Sequence, residues 1–135
     1  MSKSYVAASL RELFFERAQG ICEYCLIPTT LVLARHRIDH IIAEKHKGKT
    51  VAENLALACA LCNMAKGSDI ASIDPDINET VRLYNPRRDC WSEHFIVDSK
   101  TGCIEPLTPI ARATAQLLQI NRSIMRGKII ALENR

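Results

Sequence analysis

The stretch Cys59–Lys66, CALCNMAK, decides how this chain is read. Two cysteines two residues apart look like half of a zinc site, and a matching pair, Cys22-Glu23-Tyr24-Cys25, stands upstream. A two-residue gap lets both thiolates face one ion, and two such turns complete a closed tetrahedral site. With Cys22, Cys25, Cys59 and Cys62 as ligands no coordination position stays open. The expected zinc is therefore structural, and its binding free energy is part of the folding free energy. A lone Cys-x-x-Cys would also suit redox chemistry, but two matched pairs favour metal. Zinc has no need of Asn63, which follows the second pair at once, so the stretch must serve a second purpose.

The 135 residues, 47% of them hydrophobic, are enough for one domain with a real core, and a metal staple would reinforce it. The opening MSKSYVAASLRELFFERAQG is broken by Arg11, Glu12, Glu16 and Arg17, so neither a signal peptide nor a membrane span is expected. A cytoplasmic, reducing setting follows, in which paired cysteines hold metal rather than disulfides. The two remaining cysteines, Cys90 and Cys103, are expected as small buried hydrophobes. The formal net charge is +3. Residues 1–67 carry 9 Lys/Arg against 6 Asp/Glu, residues 68–109 carry 4 against 8, and residues 110–135 carry 5 against 1. A basic front and tail around an acidic middle suit an anionic partner met by selected surfaces, although the same layout also serves plain solubility.

Val6, Leu10, Leu13, Phe14 and Ala18 recur at helical spacing and Gly20 is a natural stop, which predicts a helix over 5–19. RHRIDHIIA predicts a strand near 36–42, followed by a polar loop, EKHKGKT. LALA, 55–58, is read as a short strand and 60–66 as a short helix. After Gly67 the chain reads as loop, with DPD at 74–76 and NPRRD at 85–89. HFIV and CIEPL flank DSKTG as a hairpin. Thr108 and Pro109 open a helix running to about 120 that buries Ile110, Leu117 and Leu118. SIMRGKIIAL is a weaker helix, interrupted by Gly127.

Between the cysteine pairs lie IDHII and AENLA. Hydrolysis of a phosphodiester needs a base that takes a proton from water near neutral pH, for which imidazole is suited. It also needs a divalent cation against the charge on phosphate and leaving oxygen. A carboxylate and an amide oxygen are hard ligands for Mg²⁺ or Mn²⁺. His40, Asp39 and Asn63 supply these groups, and Asn54 would hold the loop or orient His40. His36, four residues before His40, has a structural or phosphate-contact role. His46 belongs to a solvated loop, and His94 and Trp91 belong to packing.

IDHII, ENLALACALCNMAKG and the two cysteine pairs resemble the HNH family of ββα-metal nucleases, in its zinc-knuckle branch. The weaker LYNPRRDCWSEHF and LTPIARATAQLLQINR resemble the extension of small stand-alone bacterial HNH proteins. The resemblance implies an α+β fold: a β-hairpin and helix embracing a catalytic cation, a four-cysteine zinc staple, an N-terminal helix and a C-terminal hairpin plus helix. It implies one HNH nuclease domain over 1–135, with a motif core at 22–67 and an extension at 68–135. His40 is then the general base, Asn54 positions it, and Asp39 and Asn63 hold the cation. The implied activity is metal-dependent endonucleolytic cleavage of DNA, leaving 5′-phosphate and 3′-hydroxyl ends. Beside such a site Lys45, Lys47, Lys49 and Lys66 become DNA phosphate contacts. Ala43 stands where the family commonly has Pro, and Lys47 where the loop often has Gly. The alternative is a zinc-dependent module that binds nucleic acid without cutting it.

Overall fold

A computed structural model of the chain describes residues 8–122. The expected helix at SIMRGKIIAL and the first turn of the 5–19 helix lie outside these residues. The described part is α+β: four helices and three separate two-stranded antiparallel hairpins. No described helix is long and apolar enough to cross a membrane.

Helix α1, Ala8–Arg17, ends as expected before Gly20, which adopts φ +67°. Its apolar stripe is only partly used. Phe14 is buried, while Leu10 and Leu13 remain exposed. Arg17 ties the helix inward by donating to Leu55 O at 2.7 Å and Ala52 O at 3.3 Å.

Strands β1, Arg37–His40, and β2, Leu55–Ala58, form an antiparallel hairpin with Asp39 opposite Ala56 and His40 opposite Leu55. All four residues of β2 are buried, so LALA shows no alternation: both faces of the strand are covered. Helix α2, Ala60–Lys66, follows at once. Seven residues are too few for a stable isolated helix. Cys59 starts it as an N-cap, its thiol accepting from Cys62 N–H at 3.4 Å. The long connection between β1 and β2 folds back on itself. Lys47 takes a left-handed conformation, φ +71°, and a Cβ on Gly48 would fall 1.7 Å from Ile42 O.

The segment after Gly67 is not the loop that DPD suggested. Strands β3, Ala71–Asp74, and β4, Glu79–Arg82, pair across a turn in which Asn78 has φ +56° and donates to Asp74 O at 2.8 Å. Neither strand alternates cleanly, because every residue of the pair but Asp74 is exposed or half-buried, and this hides it from a periodicity argument. A one-turn helix α3, Trp91–His94, leads into the hairpin of β5, Phe95–Val97, and β6, Ile104–Pro106, at the expected place. Helix α4, Pro109–Leu118, is capped as expected, with Thr108 Oγ1 accepting from Ala111 N–H at 3.1 Å. Leu118 is buried, and Ile110 and Leu117 pack against the core. Arg112 of α4 clamps Asp74 of β3 with two bonds of 2.9 and 2.8 Å, and Thr114 Oγ1 accepts from Tyr84 N–H.

One continuous core joins both halves. It runs from the four motif cysteines and Tyr24 through Tyr84, Phe95 and Ile104 to Leu118 and Ile120. Trp91 packs its ring against Phe95 and donates its indole N–H to Tyr24 O at 3.1 Å, the packing role expected of it. His94 does the same against Tyr84 while its Nδ1 meets Thr108 Oγ1 at 2.6 Å. Cys90 and Cys103 break the expectation of burial, since both are exposed. Cys90 occupies the N-cap position of α3, and Cys103 follows the turn of the last hairpin, places where the backbone meets solvent.

Candidate active site

The four motif cysteines converge. Their sulfur atoms all lie within 4.8 Å of one another, and every one of these residues is buried. Cys25 Sγ and Cys59 Sγ stand 3.8 Å apart, the edge length of about 3.8 Å expected for a tetrahedron with zinc–sulfur bonds of about 2.3 Å. Each pair closes in the same way. Cys25 N–H points at Cys22 Sγ at 3.5 Å, and Cys62 N–H at Cys59 Sγ at 3.4 Å. Burial, then the neighbouring thiols, push the Cys22 thiol well above its ordinary range. Four sulfurs packed in this way gain their anionic form together only around a dication, so the donor set fits zinc. His36 is 6% exposed, and its Nε2 lies 2.7 Å from Ile27 O, in the backbone just after the first cysteine pair.

Next to the cluster, β1 and α2 bring together Asp39, Asn63 and Lys66. Asp39 is 2% exposed, and its carboxylate is surrounded by donors. Tyr24 O–H donates to Oδ2 at 2.9 Å, and Asn63 Nδ2 donates to Oδ1 at 3.3 Å. Lys66 Nζ sits 3.2 Å from Oδ2 and 3.4 Å from Oδ1, and also donates to His40 O at 3.1 Å. Lys66 was expected at the DNA-facing surface, yet it is 2% exposed. The reason is helical spacing: Lys66 lies one turn beyond Cys62, on the inward face of α2. Burial, then the Asp39 charge, push the Tyr24 phenol well above its ordinary range, so it stays a donor to the carboxylate.

His40 is the last residue of β1, and its ring Nε2 lies 2.9 Å from Thr50 Oγ1. Its Nδ1 is buried and has no hydrogen-bond partner among the described residues. Asn54 spends its side chain on the loop. Oδ1 accepts from Ile42 N–H at 2.9 Å, while Nδ2 donates to Ile42 O at 2.9 Å and Lys49 O at 2.8 Å. Its effect on His40 therefore passes through the loop that presents Thr50. Lys45, Lys47 and Lys49 are all exposed on this loop, and His46 meets Ser68 O from its exposed side. Sequence reasoning missed Thr50 and Tyr24. Neither belongs to a recognisable spacing, although Tyr24 lies inside the first cysteine pair.

Residues 22–69 match the family model described as HNH endonuclease. Over that segment the chain is similar to the HNH endonuclease family. No curated protein and no solved structure matches the chain. The HNH segment thus holds the zinc-type cluster, the β1–β2 hairpin, α2 and every residue of the Asp39 site. The β3–β4 hairpin and all that follows lie beyond it. The extension is nevertheless fastened to the HNH segment: Arg87 pairs with Glu23 of the first knuckle, whose Oε1 also accepts from Leu57 N–H at 2.9 Å.

Two side-chain heads at the site suit a divalent cation. The Asp39 carboxylate and the Asn63 amide lie side by side, Nδ2 3.3 Å from Oδ1, and the oxygens these two groups carry are hard donors of the kind such a cation takes. The ammonium of Lys66 against Asp39 marks the same place as one that holds positive charge.

Proposed function

We propose that the chain is a metal-dependent HNH nuclease that hydrolyses phosphodiester bonds of DNA, and that residues 1–135 act as one such unit. One observation carries the reading: His40, whose buried Nδ1 has no hydrogen-bond partner among the described residues, follows directly in β1 the Asp39 carboxylate that the Asn63 amide meets at 3.3 Å. Thr50 Oγ1 lies where it can accept from His40 Nε2–H, and the tautomer in which it does so leaves the Nδ1 lone pair free. Nδ1 then takes the proton from the attacking water. Asp39 and Asn63 would hold Mg²⁺ or Mn²⁺, which when bound supplies charge against the phosphate and the leaving oxygen. Asn54 keeps the Lys49–Thr50 stretch in place, and the exposed Lys45, Lys47 and Lys49 offer contacts to the phosphate backbone. Cys22, Cys25, Cys59 and Cys62 would hold a structural zinc.

The competing reading is a zinc module that binds nucleic acid without cutting. Its supporting observation is that Lys66 already neutralises Asp39. Single-turnover cleavage of labelled DNA with Mg²⁺ or Mn²⁺ separates the two. The native protein should cut, and a folded His40→Ala variant should bind DNA nearly as well while cutting about 100- to 10,000-fold more slowly. Native-like cutting by His40→Ala would remove His40 from the chemistry. Binding with no cutting by the native protein would favour the module.

A further inference from the structure

We propose that Lys66 is a built-in competitor for the catalytic cation: its ammonium must leave the Asp39 carboxylate before a divalent ion can bind there. The inference rests on the reading of Asp39 and Asn63 as the cation site. A lysine is almost never fully buried unless paired, and Lys66 is 2% exposed. Its ammonium bonds within the site, to both oxygens of Asp39 and to His40 O. A carboxylate offers about four lone-pair positions. Tyr24 takes one on Oδ2 and Asn63 one on Oδ1. Lys66 lies against both oxygens as well, so ammonium and dication contest the same carboxylate. Two positive groups drawn to one small carboxylate repel each other strongly at low dielectric.

The displaced side chain has somewhere to go. A cleft of about 210 Å³ is lined by Lys66 together with Ile41, Ile42, Asn85 and Arg88. The flexible four-carbon stem of lysine lets Nζ turn into this space without moving α2. The ion pair therefore keeps Asp39 compensated while no dication is present and sets a threshold for loading.

The test measures Mn²⁺ binding to the zinc-loaded full chain, by loss of the free-ion electron paramagnetic resonance signal, in three proteins. Lys66→Met removes the competitor and should bind Mn²⁺ at least about tenfold more tightly than the native chain. Lys66→Arg keeps the charge in a fork that grips a carboxylate by two bonds, and it should bind Mn²⁺ more weakly than the native chain. Should Lys66→Met fail to fold, as judged by circular dichroism and zinc content, the weakening in Lys66→Arg decides alone. Equal Mn²⁺ affinity across the folded proteins overturns the role of Lys66 and leaves the nuclease reading standing. No Mn²⁺ binding by any of them overturns both.

Discussion

Replacing Asn54 by Ala separates two ways in which this residue can matter. The family resemblance makes it a partner of the histidine, whereas the structure spends its amide on Ile42 N–H, Ile42 O and Lys49 O, at 2.8 to 2.9 Å. Three good hydrogen bonds are worth about 1 kcal/mol each in net terms, or about 3 kcal/mol together. Asn54 is only part-buried and Lys49 O lies toward solvent, so water recovers some of this and about 2 kcal/mol should be lost. For a chain of this length that corresponds to a fall in Tm of about 6–10 °C. Asn54→Asp should do at least as much harm, because it turns a donor to two carbonyls into an anion facing them. Urea and thermal unfolding of the zinc-loaded proteins, run beside DNA cleavage, make the measurement. Native-like stability in Asn54→Ala with a large loss of cleavage would refute the clamp and return Asn54 to direct work on His40.

Three further outcomes follow from other sites. Purified reduced protein should carry about one zinc per chain, and Cys59→Ser should lose both zinc and much of its structure by atomic absorption and circular dichroism; a zinc-free yet folded native chain would refute the cluster assignment. Lys47 holds φ +71°, a conformation that costs a non-glycine residue about 1 kcal/mol, so Lys47→Gly should raise the urea midpoint rather than lower it. Hydrogen bonding from Arg112 holds the Asp74 carboxyl below its ordinary range. Its stabilising contribution is therefore present above the unfolded value near ~3.9 and is lost as pH falls through the lower folded value. In urea unfolding below about pH 4, the stability gap between native and Asp74→Asn should close as pH drops; a gap independent of pH would show that the carboxylate charge is not what matters there.

The parts of the fold that could be read in the sequence are those set by local chemistry. The cysteine spacing, the Thr108-Pro109 helix start and the turn at DSKTG each specify geometry within a few residues. The β3–β4 hairpin escaped because its stability comes from α4 and the Arg112–Asp74 clamp, thirty-eight positions apart in the chain. Ile73 and Ile77 lie exposed on it, so no alternating pattern announces the strands. The site shows the same division. The family resemblance singles out Asp39, His40, Asn54 and Asn63 as candidates by their spacing alone. The orientation of Lys66 was in principle available from its helical spacing to Cys62. Thr50 was not, since only the fold of the 41–54 loop brings it to His40.

Tyr24 serves three parts of the molecule at once. It lies within the first cysteine pair, its hydroxyl donates to Asp39, and its carbonyl receives the Trp91 indole of the extension. The turn that spaces two of the cysteines is thus also the turn that orients the carboxylate, so the geometry of the sulfur cluster and that of Asp39 are set together.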